Sequence, residues 1–220
     1  MLVRVAPALV LLLVWEAIAR LVGSRLVPPA TAVLKALLQE ASSGRLAHNL
    51  GATLLRVVWA FALAMVLGTV LGVAMGRSRL LDRMLDSLVS FLLNLPALVA
   101  IVLLYVWFGL SETTAIAAVA LNKLPSTAVI LREGARAIDE KLIEMAQSFR
   151  VPRRAVLLEI MLPSLSPYLF AAARSGLALI WKIVLVAELL GRSDGVGFQI
   201  QVYFQLFDVT GVLAYTLAFI

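Results

Sequence analysis

Between two long apolar runs the chain reads Glu144-Met145-Ala146-Gln147-Ser148-Phe149-Arg150, and ten residues after Arg150 it reads Ile160-Met161-Leu162-Pro163. The chain as a whole has 220 residues, of which 62% are hydrophobic and 15% charged, and its mean hydropathy is +1.01. Soluble domains are roughly half apolar and about a quarter charged. The sequence therefore predicts an integral membrane protein in which this charged insertion is a docking element and not a membrane span.

The apolar runs predict an all-α bundle of about six transmembrane helices. At about 20 apolar residues per crossing, the expected spans are Val5–Val22, Val57–Met75, Leu88–Phe108, Thr113–Leu131, Tyr168–Leu190 and a short sixth from Val209 to Ile220. The sixth is about half the required length, so either it is a short helix supported by neighbours or the sequence stops inside it. We expect one transmembrane domain over residues 1–220, and the Gly68, Gly72 and Gly76 ladder favours close helix packing.

The N-terminal run resembles the start of a secretory signal, with the single cation Arg4 before apolar residues. It is not followed by a convincing small-x-small cleavage site, and its apolar character continues to Val22. Glu16 and Arg20 stand four residues apart, where they can face each other on a helix. We therefore interpret it as a retained first span.

Lysine and arginine counts predict the orientation of the chain. Residues 23–56 are too polar to cross and have an apolar helical rhythm after Pro28-Pro29, so we expect a segment along the extracytoplasmic surface. Ten cations lie on one side of the expected spans, namely Arg4 and those of segments 77–83 and 132–154. The segments facing the other way contain six. The positive-inside rule then favours a cytoplasmic N-terminus and a cytoplasmic 132–163 loop.

Several classes of site are disfavoured by the residues present. The chain has no cysteine and one histidine, His48, so we expect no metal centre and no catalytic constellation. His48 is expected to be solvated or to cap a helix. Although the net charge is +6, the cations lie in short stretches between apolar runs and not on one basic face, which favours membrane orientation over nucleic-acid binding.

The loop itself predicts a helix, a turn and a helix. Asp139 is placed to cap the first helix, and its expected apolar face is formed by Leu142, Met145, Ala146 and Phe149. The break is expected at Arg150-Val151-Pro152, because the residue before a proline is pushed out of the helical region. The second helix would carry Arg153 and Arg154 in its first turn and end at Pro163.

This loop resembles the cytoplasmic EAA loop of ABC-importer permeases, whose pattern is Glu-Ala-Ala, three residues, Gly, nine residues, Ile-x-Leu-Pro. The pattern is matched at Glu144, Ala146, Ile160, Leu162 and Pro163, with Gln147 and Arg153 as further candidates for coupling. Met145 replaces the second motif residue, and Arg150 stands where the family has glycine. Since a left-handed turn is costly for arginine, we expect Pro152 to supply the bend instead.

Other stretches resemble the branch that imports nitrate, sulfonates, taurine and thiamine precursors, over about residues 26–208. The pieces are Gly76-Arg77-Ser78-Arg79, Leu95-Pro96, Trp107-Phe108-Gly109, Trp181, Ala187-Glu188 and Gly195-Val196-Gly197. The resemblance implies a type I permease, non-catalytic and without a bound cofactor, that pairs with a second copy. It further implies that the chain lies in the bacterial inner membrane, with two ATPase subunits, which hold ATP and Mg, and an extracytoplasmic solute-binding protein as partners.

Polar residues inside the spans are candidates for the solute path, because membrane charges usually face a bundle interior or cavity. The candidates are Asn94, Asn122, Trp181, Lys182 and Glu188. A cation on the path would suit an anionic solute, although a Lys182–Glu188 ion pair or an ion pair between subunits explains both residues equally well. Asn94 and Asn122 each precede a mid-membrane proline by two or three residues, which indicates kinks with or without a path.

Two other classes of function are weighed against the ABC permease. A self-sufficient secondary transporter or channel would use membrane charges for ion coupling, and it does not require a structured docking helix around Glu144. An intramembrane enzyme would require paired carboxylates, a Ser/His pair or a metal set. The chain has no Gly-x-x-x-x-Gly-Lys-Ser/Thr sequence, so a permease of this type depends on a partner for energy.

Overall fold

The fold is described by a computed structural model that covers residues 2–220, with the side chains of residues 2–6, 8 and 9 outside the description. Two predictions involve residues whose side chains are outside the description: the role of Arg4 and the start of the first span at Val5. Over the described residues the backbone forms helices joined by short turns, with no strand. They are α1 (Leu2–Val22), α2 (Ala30–Ser42), α3 (Arg45–Arg77), α4 (Arg79–Asn94), α5 (Ala97–Phe108), α6 (Glu112–Arg136), α7 (Glu140–Ser148), α8 (Arg153–Ala155), α9 (Leu162–Gly191), α10 (Val196–Gln205) and α11 (Val209–Phe219).

The all-α prediction is confirmed, with three or four candidate membrane spans. Helices α3, α6 and the continuous helix Arg153–Gly191 are each long and apolar enough to cross a membrane, by length and composition. The pair α4 and α5 adds a fourth if it is counted as one span, and α11 is a shorter apolar helix. Helix α3 begins at Arg45, so the last part of the expected 23–56 surface segment is its first three turns.

The third expected span, Leu88–Phe108, is broken and does not run straight. Helices α4 and α5 meet at an angle of 101°. Leu95 has extended backbone angles of φ −72° and ψ 119°, as expected for a residue whose helical conformation would clash with the ring of Pro96. The Asn94-Leu95-Pro96 sequence therefore ends one helix and starts another, a sharper change than a kink.

The prediction that the second loop helix ends at Pro163 is wrong. α8, a π-helical turn at Val156–Met161 and α9 form one helix from Arg153 to Gly191. The wider turn comes immediately before Pro163, whose ring would otherwise meet the carbonyl four residues earlier. Ser166 Oγ donates to the Pro163 carbonyl at 2.8 Å, which is the acceptor that the missing N–H of Pro167 leaves without its helical partner.

The chain divides into two compact units. The first comprises residues 1–55 and 188–220. In it α11 packs against α2 and α10, and α1 packs against α2. Glu16 joins α1 to the start of α2, because its carboxylate accepts hydrogen bonds from the Thr31 amide at 3.1 Å and the Thr31 hydroxyl at 2.9 Å.

The second unit, Arg56–Ala187, contains most of the long apolar helices and two buried clusters. Helix α6 lies at its centre, with α4 and α5 packed against it. The face of α3 away from these clusters carries Trp59, Val66 and Val70, each more than 60% exposed. Exposed apolar surface of this kind is suited to lipid, and the unit is in this respect an ordinary membrane bundle.

Close contact between α3 and α6 depends on the predicted glycine ladder. A Cβ at Gly68 would lie 2.7 Å from Thr127 Cβ, and one at Gly76 would lie 2.6 Å from Ala135 Cβ. At Gly72 it would collide with the Ala128 carbonyl oxygen and lie 2.9 Å from Leu131 Cβ. A backbone atom cannot rotate away, so Gly72 is the position of the ladder that tolerates a side chain least.

We predict that Gly72→Ala lowers the apparent Tm of the detergent-solubilised chain by about 5 °C, because it forces α3 away from α6. The matched control is Gly51→Ala on the same helix, where a Cβ meets nothing within 4 Å and helix propensity favours alanine. Thermal unfolding followed by gel filtration measures both. Equal Tm values for the two variants would contradict the packing role of the ladder.

Candidate functional site

Helix α7 forms the first half of the candidate coupling loop and begins as predicted. The Asp139 carboxylate accepts a hydrogen bond from the Lys141 amide at 2.9 Å, which satisfies one of the free N–H groups of the first turn. Ala146 is buried, and Ile143 packs against the buried cluster that includes Leu131 and Leu165. The helix is thus seated on the second unit by this side.

Of the apolar face that the sequence predicts for α7, Ala146 is buried, whereas the other three residues are exposed. Leu142 is 41% exposed, Met145 52% and Phe149 78%. Glu144 and Gln147 are also exposed. The loop therefore presents large apolar side chains beside a carboxylate and an amide, a combination more typical of a protein contact than of a solvated turn.

The turn after α7 is made by Arg150, which corrects the expectation that Pro152 replaces it. Arg150 has φ +54°, the left-handed conformation that glycine adopts most easily. Its amide donates to the Gln147 carbonyl at 2.9 Å, and the Val151 amide donates to the Ala146 carbonyl at 2.8 Å. These two bonds are the Schellman pattern of a helix C-terminus, so the arginine takes the backbone role of the family glycine.

The second half of the loop begins the long helix. Pro152 occupies the N-cap position with extended angles, and Arg153 follows it with an exposed side chain. Ile160 is half-buried, while Leu162 and Pro163 are exposed. The structure therefore brings the matched residues into one helix-turn-helix, with the second helix continuous as far as Gly191.

An ion-pair cluster fixes the start of the loop to α4. Arg132 Nη1 lies 2.5 Å from Asp86 Oδ1 and 3.2 Å from Asp82 Oδ1. Arg136 pairs with the other oxygen of Asp82 at 2.5 Å and with Glu133 at 2.9 Å. Sequence reasoning missed this cluster, although the spacing of Asp82 and Asp86 on one helix face is a signal that could have pointed to a common partner.

The two asparagines of the candidate path are not brought to one site by any contact that the structure shows. Asn94 is exposed, and its amide donates to the Ser90 carbonyl at 2.8 Å in the last turn of α4. Asn122 is half-buried on α6, where the helix continues through Pro125 without a break. Asn94 is thus placed at a helix break and Asn122 within a continuous helix.

On α9, Trp181 and Lys182 have different environments. Trp181 packs against the buried cluster around Ile180 and Val184, whereas Lys182 is exposed. A lysine that is exposed on the apolar part of a membrane helix is costly unless water, a solute or another protein meets it. Of the predicted path residues, Lys182 is the one whose surroundings favour contact with something outside the chain.

Glu188 belongs to a buried polar network within the first unit. It is 0% exposed, and its Oε2 accepts from the Thr53 hydroxyl at 3.0 Å and from the Gly197 amide at 2.8 Å. Thr53 Oγ1 in turn accepts from the Val196 amide at 2.9 Å, and Asn49 Oδ1 accepts from the Gly195 amide at 2.9 Å. The Gly195-Val196-Gly197 segment is therefore held by side chains of α3 and α9, and protein donors already account for the burial of Glu188.

A second part of the same network surrounds Glu40, which is 6% exposed. Its carboxylate accepts from the Tyr203 hydroxyl at 2.9 Å and the Tyr215 hydroxyl at 3.0 Å, and it pairs with Arg45 at 2.6 Å. Burial, and then the hydrogen bond to Glu40, raises the pKa of the Tyr203 hydroxyl, so this tyrosine remains a neutral donor. His48 is exposed nearby on α3, as predicted.

Sequence analysis also missed the ion pair between Arg56 and Glu112. Arg56, 3% exposed, bonds the Glu112 carboxylate through Nε at 2.7 Å and Nη2 at 2.9 Å, a two-point contact between α3 and α6. Within the described residues there is no group of three or more potential metal ligands. The candidate features that the described residues supply are thus the exposed loop around α7 and the exposed Lys182 on α9.

The long apolar helices and the exposed helix-turn-helix are compatible with a membrane-transport permease. The model of the family "Binding-protein-dependent transport system inner membrane component" matches residues 64–220. The chain belongs to this family, and it is a multi-pass membrane protein and an ABC-transporter permease.

The named relatives of the chain indicate the branch of the family to which it is most similar. It is 32% identical over 203 residues to a protein of Escherichia coli K12 named as the aliphatic sulfonates transport permease SsuC, covering 90% of this chain and 77% of the relative. It is 31% identical over 199 residues to the taurine transport system permease TauC of the same strain, covering 87% and 72%. A shorter match, 26% over 101 residues, covers 43% of this chain and 36% of the nitrate import permease NrtB of Synechococcus elongatus.

We predict that Arg150→Gly leaves the loop intact and raises the apparent Tm slightly, because glycine occupies the left-handed conformation without steric cost. Arg150→Ile should lower the apparent Tm by several degrees, since a β-branched residue is a severe outlier at φ +54°. Thermal unfolding of the purified chain tests both. If isoleucine is tolerated as well as glycine, the turn does not have this conformation.

Proposed function

We propose that this chain forms the translocation path of an ATP-driven importer and couples to a separate ATPase through the 132–163 loop. The observation that carries the proposal is the loop surface, where Met145 and Phe149 are exposed beside Glu144 while Ala146 is buried. A helix that is seated on one side and apolar on the other is suited to dock in the cleft of a partner.

The loop is built to transmit motion. Arg150 and the two hydrogen bonds of its turn fix the angle between α7 and the next helix. That next helix is the 39-residue helix Arg153–Gly191, so displacement of the loop is carried directly into a membrane-spanning element. The π-helical turn before Pro163 lies between the loop and the span, at the place where a change of helix direction costs least.

Membership of the family supports the proposed energy source and the proposed partner subunits. The sequence contains no Gly-x-x-x-x-Gly-Lys-Ser/Thr motif, which is consistent with ATP and Mg being held by two partner ATPase subunits. We propose that two copies of the permease form one path, that an extracytoplasmic binding protein delivers the solute, and that the N-terminus is cytoplasmic. We further propose that α1 and α11 belong to the membrane spans, which gives about six spans in this chain.

The proposed solute is a small anion such as a sulfonate, taurine or nitrate. Relatives are named for aliphatic sulfonates, taurine and nitrate, and exposed Lys182 lies on the apolar part of α9. A cation on the path would lower the cost of moving a negative solute through a low-dielectric region. Asn94, Asn122 and Trp181 are proposed as neighbouring path residues, and Glu188 as a residue that holds the segment around Gly197.

We predict that Glu144→Lys combined with Arg153→Glu abolishes uptake and releases the ATPase, because both exposed charges are reversed on the docking surface. Folding should persist, since neither side chain is buried. Uptake of radiolabelled taurine by proteoliposomes that contain the whole importer, together with the ATPase recovered on purification, measures both effects.

The control variant is Lys35→Glu, a charge reversal at an exposed position of α2 outside the loop. It should retain uptake and ATPase recovery. Normal uptake in the double variant would remove the coupling role of the loop and favour a self-sufficient transporter.

A further inference from the structure

In the apolar segments that lie between the charged residues near the helix ends, the second unit carries cations only. Its apolar segments are residues 57–76, 87–111, 113–131 and 164–187, and in them the charged residues are Lys123, Arg174 and Lys182. All three are cations. Buried or membrane-embedded cations normally have a carboxylate partner, and these segments supply none.

Lys123 is the most deeply placed of the three. It is 11 residues from the start of α6 and 13 from its end, or about 16 Å and about 20 Å along the helix. The residue is 3% exposed. Neither end of the helix is within reach of a lysine side chain, so Lys123 cannot place its ammonium in water by extending along its own helix.

The Lys123 side chain instead extends across to α9 at Gly176, where there is no side chain to obstruct it. Gly176 faces Lys123, and a Cβ at Gly176 would lie 2.8 Å from Lys123 Cε. The Lys123 ammonium then donates to Ser175 Oγ at 3.2 Å, and Ser175 is exposed. Because Gly176 has no side chain, the Lys123 ammonium can lie next to the exposed Ser175 hydroxyl on α9.

The ammonium has unused bonding capacity. Over the described residues 2–220, the polar side chain that Lys123 contacts is that of Ser175 alone. A lysine ammonium has three donors, so two remain after this bond. Ser175 Oγ donates its own proton to the Ala172 carbonyl at 3.1 Å, which leaves its oxygen as the acceptor for the lysine.

Lys182 extends the same face. Seven residues separate it from Ser175, which is two helical turns, so both lie on one side of α9 about 10 Å apart. Both are exposed. The face thus carries one charge beneath Ser175 and a second at Lys182.

We propose that Lys123, admitted through the Gly176 gap and positioned by Ser175, is the anion-binding residue of a subsite for small monovalent oxyanions on this face of α9. The inference rests on the proposed function and deepens it, since it names the residue that selects negative solutes. Lys182 supplies a second cation on α9, on the same side of the helix as Ser175. A compact ammonium suits the oxygen atoms of a sulfonate or nitrate without requiring the planar fork of an arginine.

The test measures binding directly and does not require the ATPase. The full-length chain is placed in lipid nanodiscs, and binding of radiolabelled ethanesulfonate is measured at equilibrium. Wild-type protein should bind it saturably, with competition by nitrate and none by the uncharged analogue ethyl methyl sulfone. Lys123→Met should weaken binding by about tenfold or more, as expected for loss of a charge-assisted contact, whereas Lys35→Met at the exposed α2 position should not.

The absence of cysteine from the sequence allows a rescue that separates charge from shape. Lys123→Cys is alkylated either with 2-bromoethylamine, which restores a lysine-like ammonium, or with 1-bromopropane, which gives a neutral chain of similar length. Binding should return with the first reagent and not with the second. Gly176→Ala should weaken binding although the lysine is present, because it closes the gap.

Three results would overturn the proposal: no saturable, anion-specific binding to the wild type, unchanged binding in Lys123→Met, or equal rescue by the two reagents. The last two would make Lys123 a packing residue. Failure of the proposed function is a separate result, namely that no ATPase is recovered with the chain, and it leaves this binding measurement interpretable.

Discussion

The close approach of α3 and α6 at Gly72 is the contact on which the rest of the second unit depends. A Cβ there would collide with a backbone carbonyl of α6, so the two helices can pack at this distance only without a side chain. With α6 held against α3, Lys123 lies opposite Gly176 of α9, and Arg132 at the end of α6 meets Asp82 and Asp86 of α4. Packing of small residues thus positions both the membrane cation and the start of the loop.

The two functional features use opposite strategies for polar groups. On α6, Lys123 is buried and uses one of its ammonium donors for Ser175, which leaves donors for the proposed anion. In the loop, Glu144 and Arg153 are exposed beside apolar Met145, which suits contact with a second protein. The long helix from Arg153 to Gly191 carries residues of both features, so one continuous helix connects the proposed docking surface to the proposed solute path.

Helix content, the cap at Asp139 and the glycine ladder could be predicted from the sequence because they depend on local pattern or composition. The 101° break at Pro96 and the continuation of the helix through Pro163 could not be told apart in advance, because the sequence does not show which proline is accommodated by a wider helical turn. Arg150 adopts a left-handed conformation that arginine disfavours. The glycine of the family pattern at this position indicated that conformation better than the residue type did. Long-range pairs such as Arg56 with Glu112 leave no periodic signal, so the sequence could not reveal them.

The central claim is that a separate ATPase drives this chain through its loop. The most direct measurement is mass spectrometry of the proteins that co-purify with the tagged chain from gently solubilised native membranes. The account predicts recovery of a soluble ATPase in equal copy number with the permease. Recovery of the permease alone, still active in transport after reconstitution, would contradict it and make the chain a self-sufficient transporter.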